Sequence, residues 1–225
     1  MGDRVVVITG ATGKLGPVVA QRFAADGARL ALLARDEESC IGVAMSLPGG
    51  PRRHLGVPVD LSDEASAIAS ADTVRERLGP ASVLLHLVGG YAGGTPFADT
   101  TDDEWRDQIE LNLWSTIHAV RAFLPDIASS KDGRIVTMST FVAAAPTPKH
   151  AAYAATKAAV EALTISVARD LAGTSATANV VAIRAIGGDK PTDTRPEEIA
   201  AAMAWLCTHE AGAVNGQRIP LLGRA

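Results

Sequence analysis

The sequence predicts an α/β fold in which one parallel sheet of about seven strands carries helices on both faces. Three observations lead there. Short apolar runs alternate with longer stretches of helical periodicity along the chain. The first run, Val5–Thr9, is continuous and mostly β-branched, as suits a strand covered on both faces. It is followed at once by a glycine-rich turn, Thr9-Gly-Ala-Thr-Gly-Lys-Leu-Gly16, that opens a helical pattern.

The elements follow in order. Residues 14–26 carry the first helix, closed by Gly27, and Arg29–Ala34 is a second apolar strand. Residues 37–47 read as a helix ended by Pro48-Gly-Gly-Pro51, and 54–59 as strand three, leading to Asp60. Ser62 stands where it can cap the next helix, with Asp63 and Glu64 near the positive end; Gly79-Pro80 stops that helix after Leu78. Strand four takes 82–88, a glycine-rich loop takes 89–94, and a long helical pattern covers 102–127. Strand five (134–138), a second long helix (151–171) and strand six (178–183) come next. A helix with proline at its start (196–207) and a last strand (218–222) complete the chain. No repeat, low-complexity stretch or linker interrupts the alternation, so residues 1–225 are expected to form one domain.

A chain of 225 residues, 47% apolar and 20% charged, can bury a full core. The net charge is −4 and no run of Lys or Arg appears, which argues against nucleic acid as a partner. No apolar stretch is long enough to span a bilayer. The start of the chain lacks the basic, apolar and small-residue segments of a signal peptide. Cys40 and Cys207 fit no metal-ligand spacing, so no metal is expected, and free thiols suit a reducing compartment. The expectation is a cytoplasmic protein acting on small molecules.

In the first turn, Gly10, Gly13 and Gly16 recur at a spacing of three. A strand that turns sharply into a helix while its backbone approaches a pyrophosphate needs residues without a Cβ. The helix start then offers free N–H groups and partial positive charge to the anion. Thr12, Lys14 and Leu15 complete the turn, and its position is that of a Rossmann-type dinucleotide-binding domain. At the end of strand two, where an acid would bind the adenosine ribose diol, stand Ala34 and Arg35. An acid would repel a 2′-phosphate, whereas an arginine can clamp it. The expected cofactor is therefore NADP rather than NAD, with Lys14 as a second positive charge. Asp36, beside Arg35, partly supports the alternative that Arg35 and Lys14 are simply solvated surface charges.

Further along stand Asp60-Leu61, His86-Leu-Val-Gly89, Asn112, Gly133-Arg-Ile-Val-Thr-Met-Ser-Thr140, Tyr153-Ala-Ala-Thr-Lys157 and Asn215-Gly-Gln217. Together with the turn, these resemble the short-chain dehydrogenase/reductase family over nearly the whole chain. The resemblance implies an oxidoreductase in which Tyr153 exchanges a proton with the substrate oxygen while hydride moves at the nicotinamide. Lys157 would assist it and hold the nicotinamide ribose, and Asn112 would hold a relay water. Asp60, Leu61, Val88 and Gly89 would line the dinucleotide with Arg35 and the turn. The chemistry is sound on its own terms. Residues four apart share a helix face, and a neighbouring ammonium favours a phenolate whose reference pKa is about 10.

Four departures from the family pattern stand out. The family's catalytic serine lies thirteen residues before the tyrosine, where this chain has Thr140, with Ser139 beside it. Either hydroxyl could stabilise charge on a substrate oxygen. Strand neighbours point to opposite faces, so only one should do so, and Thr140 is preferred. His86-Leu-Val-Gly89 replaces Asn-Asn-Ala-Gly; His86 could carry a proton, although fixing the end of strand four is the preferred role. Ile183-Arg184 replaces Pro-Gly, and only twelve residues separate Arg184 from Glu197, so the substrate lid (184–196) is truncated. Finally, the 89–94 loop and short tail resemble those of dihydropteridine reductase, a member of the same family. Tyr91 in that loop could stack on a flat heterocycle.

The leading functional expectation is NADP(H)-dependent reduction of a carbonyl or related group, or the reverse reaction on an alcohol. A quinonoid dihydropteridine reductase-like enzyme and a non-catalytic NADP-binding sensor or subunit are the alternatives. Relatives pair through the two long helices, so a homodimer or homotetramer is expected.

Overall fold

Strand β1 (Val5–Thr9) is an interior strand, third of seven, in the sheet of the computed structural model, which describes residues 2–224. β2 (Arg29–Ala34) and β3 (His54–Pro58) extend the sheet to one side. β4 (Val83–His86), β5 (Arg134–Thr140), β6 (Thr177–Ile183) and β7 (Arg218–Leu221) extend it to the other. The order is β3-β2-β1-β4-β5-β6-β7, and every pairing is parallel. Strand order reverses between β1 and β4, and a ligand crevice opens at such a point beyond the carboxyl ends of the strands.

The helices are α1 (Gly16–Ala25), α2 (Glu37–Ser46), α3 (Glu64–Leu78), α4 (Asp102–Gln108), α5 (Ser115–Ser129), α6 (Phe141–Ala144), α7 (Ala151–Asp170) and α8 (Pro196–Leu206). They cover both faces, and the strands sort their side chains between them by alternation. Val6 and Ile8 pack with Phe23 of α1 and with Ile199 and Met203 of α8. Val5 and Val7 pack with Phe123 of α5 and with Val167 of α7. Phe23 and Phe123 are fully buried, each stabilising its layer by about 1.5–3 kcal/mol.

Several boundaries depart from the sequence reading for local reasons. α1 starts at Gly16 rather than residue 14, because Gly13 N–H donates to Gly10 O (3.1 Å) and Gly16 N–H to Gly13 O (3.2 Å), keeping residues 14 and 15 in the turn. Ser62 does not cap α3. Its N–H and hydroxyl both donate to Asp60 Oδ1, and Asp63 takes the cap, accepting from Ala65 and Ser66 N–H. The helical pattern of 102–127 divides into α4, a π-helical turn (Ile109–Trp114) and α5, which runs on to Ser129. β5 continues two residues further than expected and ends at Thr140.

The two ends of the sheet differ. At the amino end, the buried Arg134 guanidinium donates to the carbonyls of Gly133, Ser175 and Thr208 and closes the structure. At the carboxyl end, residues 184–195 make a short connection from β6 to α8. It is stitched internally by Gly187 N–H to Thr194 O (3.1 Å) and Thr194 N–H to Ala185 O (3.0 Å). It is tied outward by the Thr194 hydroxyl on Leu221 O and by Arg224 N–H on Pro191 O (2.7 Å).

Candidate active site

The glycine turn is built for two different demands. Gly10 adopts φ +68°, and a Cβ there would press on the Leu87–Val88 backbone at 3.1 Å. A Cβ on Gly16 would collide with the Ala11 carbonyl, so the turn could not close on α1. Gly13 is exposed and a Cβ would meet only Gly10 O at 3.3 Å, so its small size serves an approach from outside. Leu15, at the start of α1, offers no side-chain cap, and the first N–H groups of that helix are left for a ligand.

Two adjoining clefts share Gly10, Gly13, Leu87 and Gly89 and so form one groove across the switch point. The first, about 630 Å³, is lined by Gly10, Thr12, Gly13, Arg35, Asp60, Leu61, Val88 and Gly89. The second, about 270 Å³, is lined by Lys14, Leu15, Gly89, Tyr91, Ser139, Tyr153 and Lys157, with Ile183 and Ile186 at its far side. Thus Arg35 and Lys14, expected to act together, line different parts of the groove. Gly16 is buried beneath the turn and lines neither part. Asp36 turns away from Arg35 to cap α2, accepting from Ser39 N–H (2.8 Å), which holds its carboxyl below the usual range. Hydrogen bonds from Ser62 likewise hold the Asp60 carboxyl low, with a smaller contribution from the charge of Arg35.

Tyr153 and Lys157 occupy one face of α7. Lys157 is 4% exposed; its Nζ donates to Met138 O (3.2 Å), and burial brings the ammonium down to about 8. Asn112, on the π-helical turn, is fully buried. It accepts from Gly90 N–H and donates to Gly90 O and to Gln108 Oε1, each at 3.1 Å. Its side chain is therefore spent on holding the start of the 89–94 loop over Lys157. A π-turn inserts an extra residue and re-aims side chains, and such turns recur at functional sites.

The phenol does not behave as the lysine alone would dictate. Burial raises the Tyr153 pKa above its ordinary value, while a side-chain hydrogen bond with Thr140 pulls it back in part. Desolvation of the phenolate sets the direction of the shift, contrary to the expectation from sequence that a neighbouring ammonium would lower it. Of the two hydroxyls at the end of β5, Thr140 meets the phenol. Ser139 borders the cleft, but its hydroxyl donates to Glu161 Oε1 at 2.6 Å. His86 rests its Nδ1 on Thr9 Oγ1 (2.9 Å), and burial, aided by Lys157, lowers its pKa to about 3. It is neutral near pH 7 and fixes the end of β4.

The 89–94 loop reaches the start of α7. The Tyr91 ring meets Tyr153 edge-on (5.2 Å, 84°), and its hydroxyl lies 3.1 Å from His150 Nε2. Gly94 N–H donates to Lys149 O (2.9 Å), and a Cβ on Gly93 would lie 2.6 Å from the Tyr91 hydroxyl. The glycines thus let the loop lie against His150. Sequence reasoning missed His150 and Glu161. Glu161 had a signal, since it continues the four-residue spacing of Tyr153 and Lys157.

The family model described as short chain dehydrogenase matches residues 4–198. This chain belongs to that family. It is 32% identical to a meso-2,3-butanediol dehydrogenase of Serratia marcescens, over 99% of this chain and 94% of the relative. It is 27% identical to a D-threitol dehydrogenase of Mycolicibacterium smegmatis, over 99% and 93%. Among solved structures, a short-chain dehydrogenase/reductase titled glucose/ribitol dehydrogenase, from Brucella melitensis, superposes with a TM-score of 0.89 at 31% identity, covering 98% of this chain and 97% of that one. Short-chain dehydrogenases use nicotinamide cofactors. The uncapped start of α1 and the outward-facing Gly13 of this short-chain dehydrogenase fit a dinucleotide pyrophosphate. Among the described residues, no helix is long and apolar enough to cross a membrane.

Proposed function

We propose that this short-chain dehydrogenase is a cytoplasmic NADP(H)-dependent oxidoreductase that interconverts a carbonyl and an alcohol on a small molecule, with Tyr153 as acid and base. The observation that carries the reading is that Tyr153 and Lys157 line one cleft of the groove that begins at the glycine turn, with Thr140 hydrogen-bonded to the phenol. NADP(H), when bound, supplies or accepts the hydride. Arg35 suits the 2′-phosphate, since no acid faces it from the end of β2 and Asp36 is engaged elsewhere.

The chain's own part is positioning and proton transfer. A carbonyl oxygen held between the Thr140 hydroxyl and the Tyr153 phenol is polarised by both. The phenol, protonated near neutral pH, gives its proton to that oxygen as negative charge develops. The Lys157 ammonium stabilises the phenolate left behind. Asn112 holds the Gly89–Gly90 backbone above Lys157 and keeps that charge in place. In the reverse direction the phenolate removes the alcohol proton.

Two relatives are named as dehydrogenases of butanediol and threitol, which supports small alcohols as the first compounds to try. The test is a panel of butane-2,3-diol, threitol, diketones, quinones and quinonoid dihydropterins with either NADP(H) or NAD(H). Turnover is expected to prefer NADP(H) and to vanish in Tyr153→Phe; full activity in that variant would remove the mechanism. A second reading, reduction of a quinonoid pterin, draws on the Tyr91 ring, which is 59% exposed beside Tyr153 and can stack on a flat ring. Tight NADPH binding with no turnover anywhere on the panel would instead favour a sensor or subunit. Pairing through the long helices, as a homodimer or homotetramer, is supported by Trp114, which exposes apolar surface there.

A further inference from the structure

Two hydroxyls end β5, and only one of them reaches the phenol. The reason lies behind the strand. Glu161 sits one helical turn beyond Lys157 on α7, on the face that already carries Tyr153 and Lys157. Its Oε1 accepts two hydrogen bonds, from the Ser139 hydroxyl at 2.6 Å and from Arg218 Nε at 2.9 Å. Arg218 comes from β7, where its partner in register is Val180 of β6, yet its side chain extends to β5 and donates Nη2 to the Thr140 carbonyl at 3.2 Å. The Ser139 hydroxyl also lies 3.5 Å from the Lys157 carbonyl. One ion pair thus joins α7, β5 and β7 immediately behind the reacting groups.

We infer that Glu161 and Arg218 are positioning residues that hold the end of β5 so that the Thr140 hydroxyl, and not that of Ser139, faces the Tyr153 phenol. Strand neighbours point to opposite faces, so pinning the Ser139 side chain and the Thr140 carbonyl also sets where the Thr140 side chain points. The pair is sheltered, with side chains 12% and 25% exposed, so its geometry is less open to solvent screening than that of a surface pair. Glu161 also occupies the Ser139 hydroxyl, which would otherwise be a competing donor at the cleft. The inference rests on the catalytic reading only for its kinetic consequence; its geometric content stands apart.

The test exploits the chain's two tyrosines. Labelling tyrosine Cζ with carbon-13 gives one resonance each, assigned with Tyr91→Phe, and the Tyr153 signal reports the hydrogen bonding of its phenol at neutral pH. Thr140→Val is expected to move it. Glu161→Ala and Arg218→Met should move it in the same direction, and adding Thr140→Val to either should then move it little further. Glu161→Gln, whose amide oxygen can still accept, should restore the wild-type position. With the best substrate of the panel, both disruptive variants should lose about tenfold to a hundredfold in kcat with little change in KM for NADPH. Arg218→Met carries the test if Glu161→Ala does not fold, because Arg218 lies on an edge strand. An unmoved Tyr153 resonance, or wild-type kcat in these variants, overturns the inference. Undiminished turnover in Tyr153→Phe would instead overturn the catalytic reading, leaving the resonance to judge the positioning.

Discussion

The Lys157 ammonium lies where a side chain on Gly89 would begin: a Cβ at that position would be 2.7 Å from Nζ and 2.9 Å from Asn112 Oδ1. Asn112 is tethered by its hydrogen bonds to Gly90 and Gln108, so the lysine must yield. Gly89→Ala is therefore expected to fold, because the displaced group is the end of a flexible chain, and to lose about tenfold to a hundredfold in kcat/KM. Steady-state kinetics with a parallel thermal melt measure both; wild-type kcat/KM would contradict the placement of the ammonium.

Burying that ammonium has a cost in stability whose sign can be worked out. Its pKa is 10.5 when free and about 8 in the folded chain, so between these values the unfolded chain binds more protons. The charge opposes folding in full below about pH 8, and the opposition is relieved as pH rises towards 10.5. At about 1.4 kcal/mol per pKa unit, the penalty near neutrality is on the order of 3 kcal/mol. Lys157→Met should raise the melting temperature at pH 7, with the gain shrinking as pH approaches 10.5, while turnover is lost. An unchanged or lower melting temperature at pH 7 would show that the lysine is not desolvated.

The raised Tyr153 pKa gives the two reaction directions opposite pH dependence. Reduction needs the protonated phenol, so kcat/KM for a ketone should be level through neutrality and fall on the alkaline side, beginning as Lys157 loses its charge above about 8. Oxidation needs the phenolate, whose fraction grows with pH, so the rate with an alcohol should climb above neutrality. Profiles measured in both directions check this. An oxidation optimum at or below neutral pH would be incompatible with a phenol held above its ordinary value.

Cofactor choice should follow Arg35. Replacing it by Asp removes charge-assisted hydrogen bonds worth about 1.5–3 kcal/mol and adds repulsion, so NADPH affinity should fall about tenfold to a hundredfold or more. NADH should bind as before or better. Lys14→Ala should alter the ratio of the two affinities less, because Lys14 lines the cleft of Tyr153. Fluorescence titration with both nucleotides decides the matter; equal losses for NADPH and NADH in Arg35→Asp would place the arginine elsewhere.

Features encoded over a few neighbouring residues were legible in the sequence. The β-branched run of β1, the glycines of the first turn and the spacing of Tyr153 to Lys157 are local, and the fold honours each of them. What stayed hidden depends on partners far along the chain or on choices between equal neighbours. Ser62 and Asp63 are both good caps, and only the pull of Asp60 on Ser62 decides between them. The choice of Thr140 over Ser139 depends on Glu161, 22 residues away, and on Arg218, 78 residues away. The π-helical turn that aims Asn112 is invisible because the apolar periodicity runs through it with little change. His150 takes its place only through Tyr91, which a sequence scan has no reason to set beside it.

The connection from β6 to α8 is sewn down at Thr194 and Pro191. A flap hinged there would have to break those bonds before it could travel. The expected consequence is that no such movement times turnover, so that reactants and products would pass through an opening of nearly constant width. Thickening the solvent should slow this chain only by slowing diffusion to and from that opening.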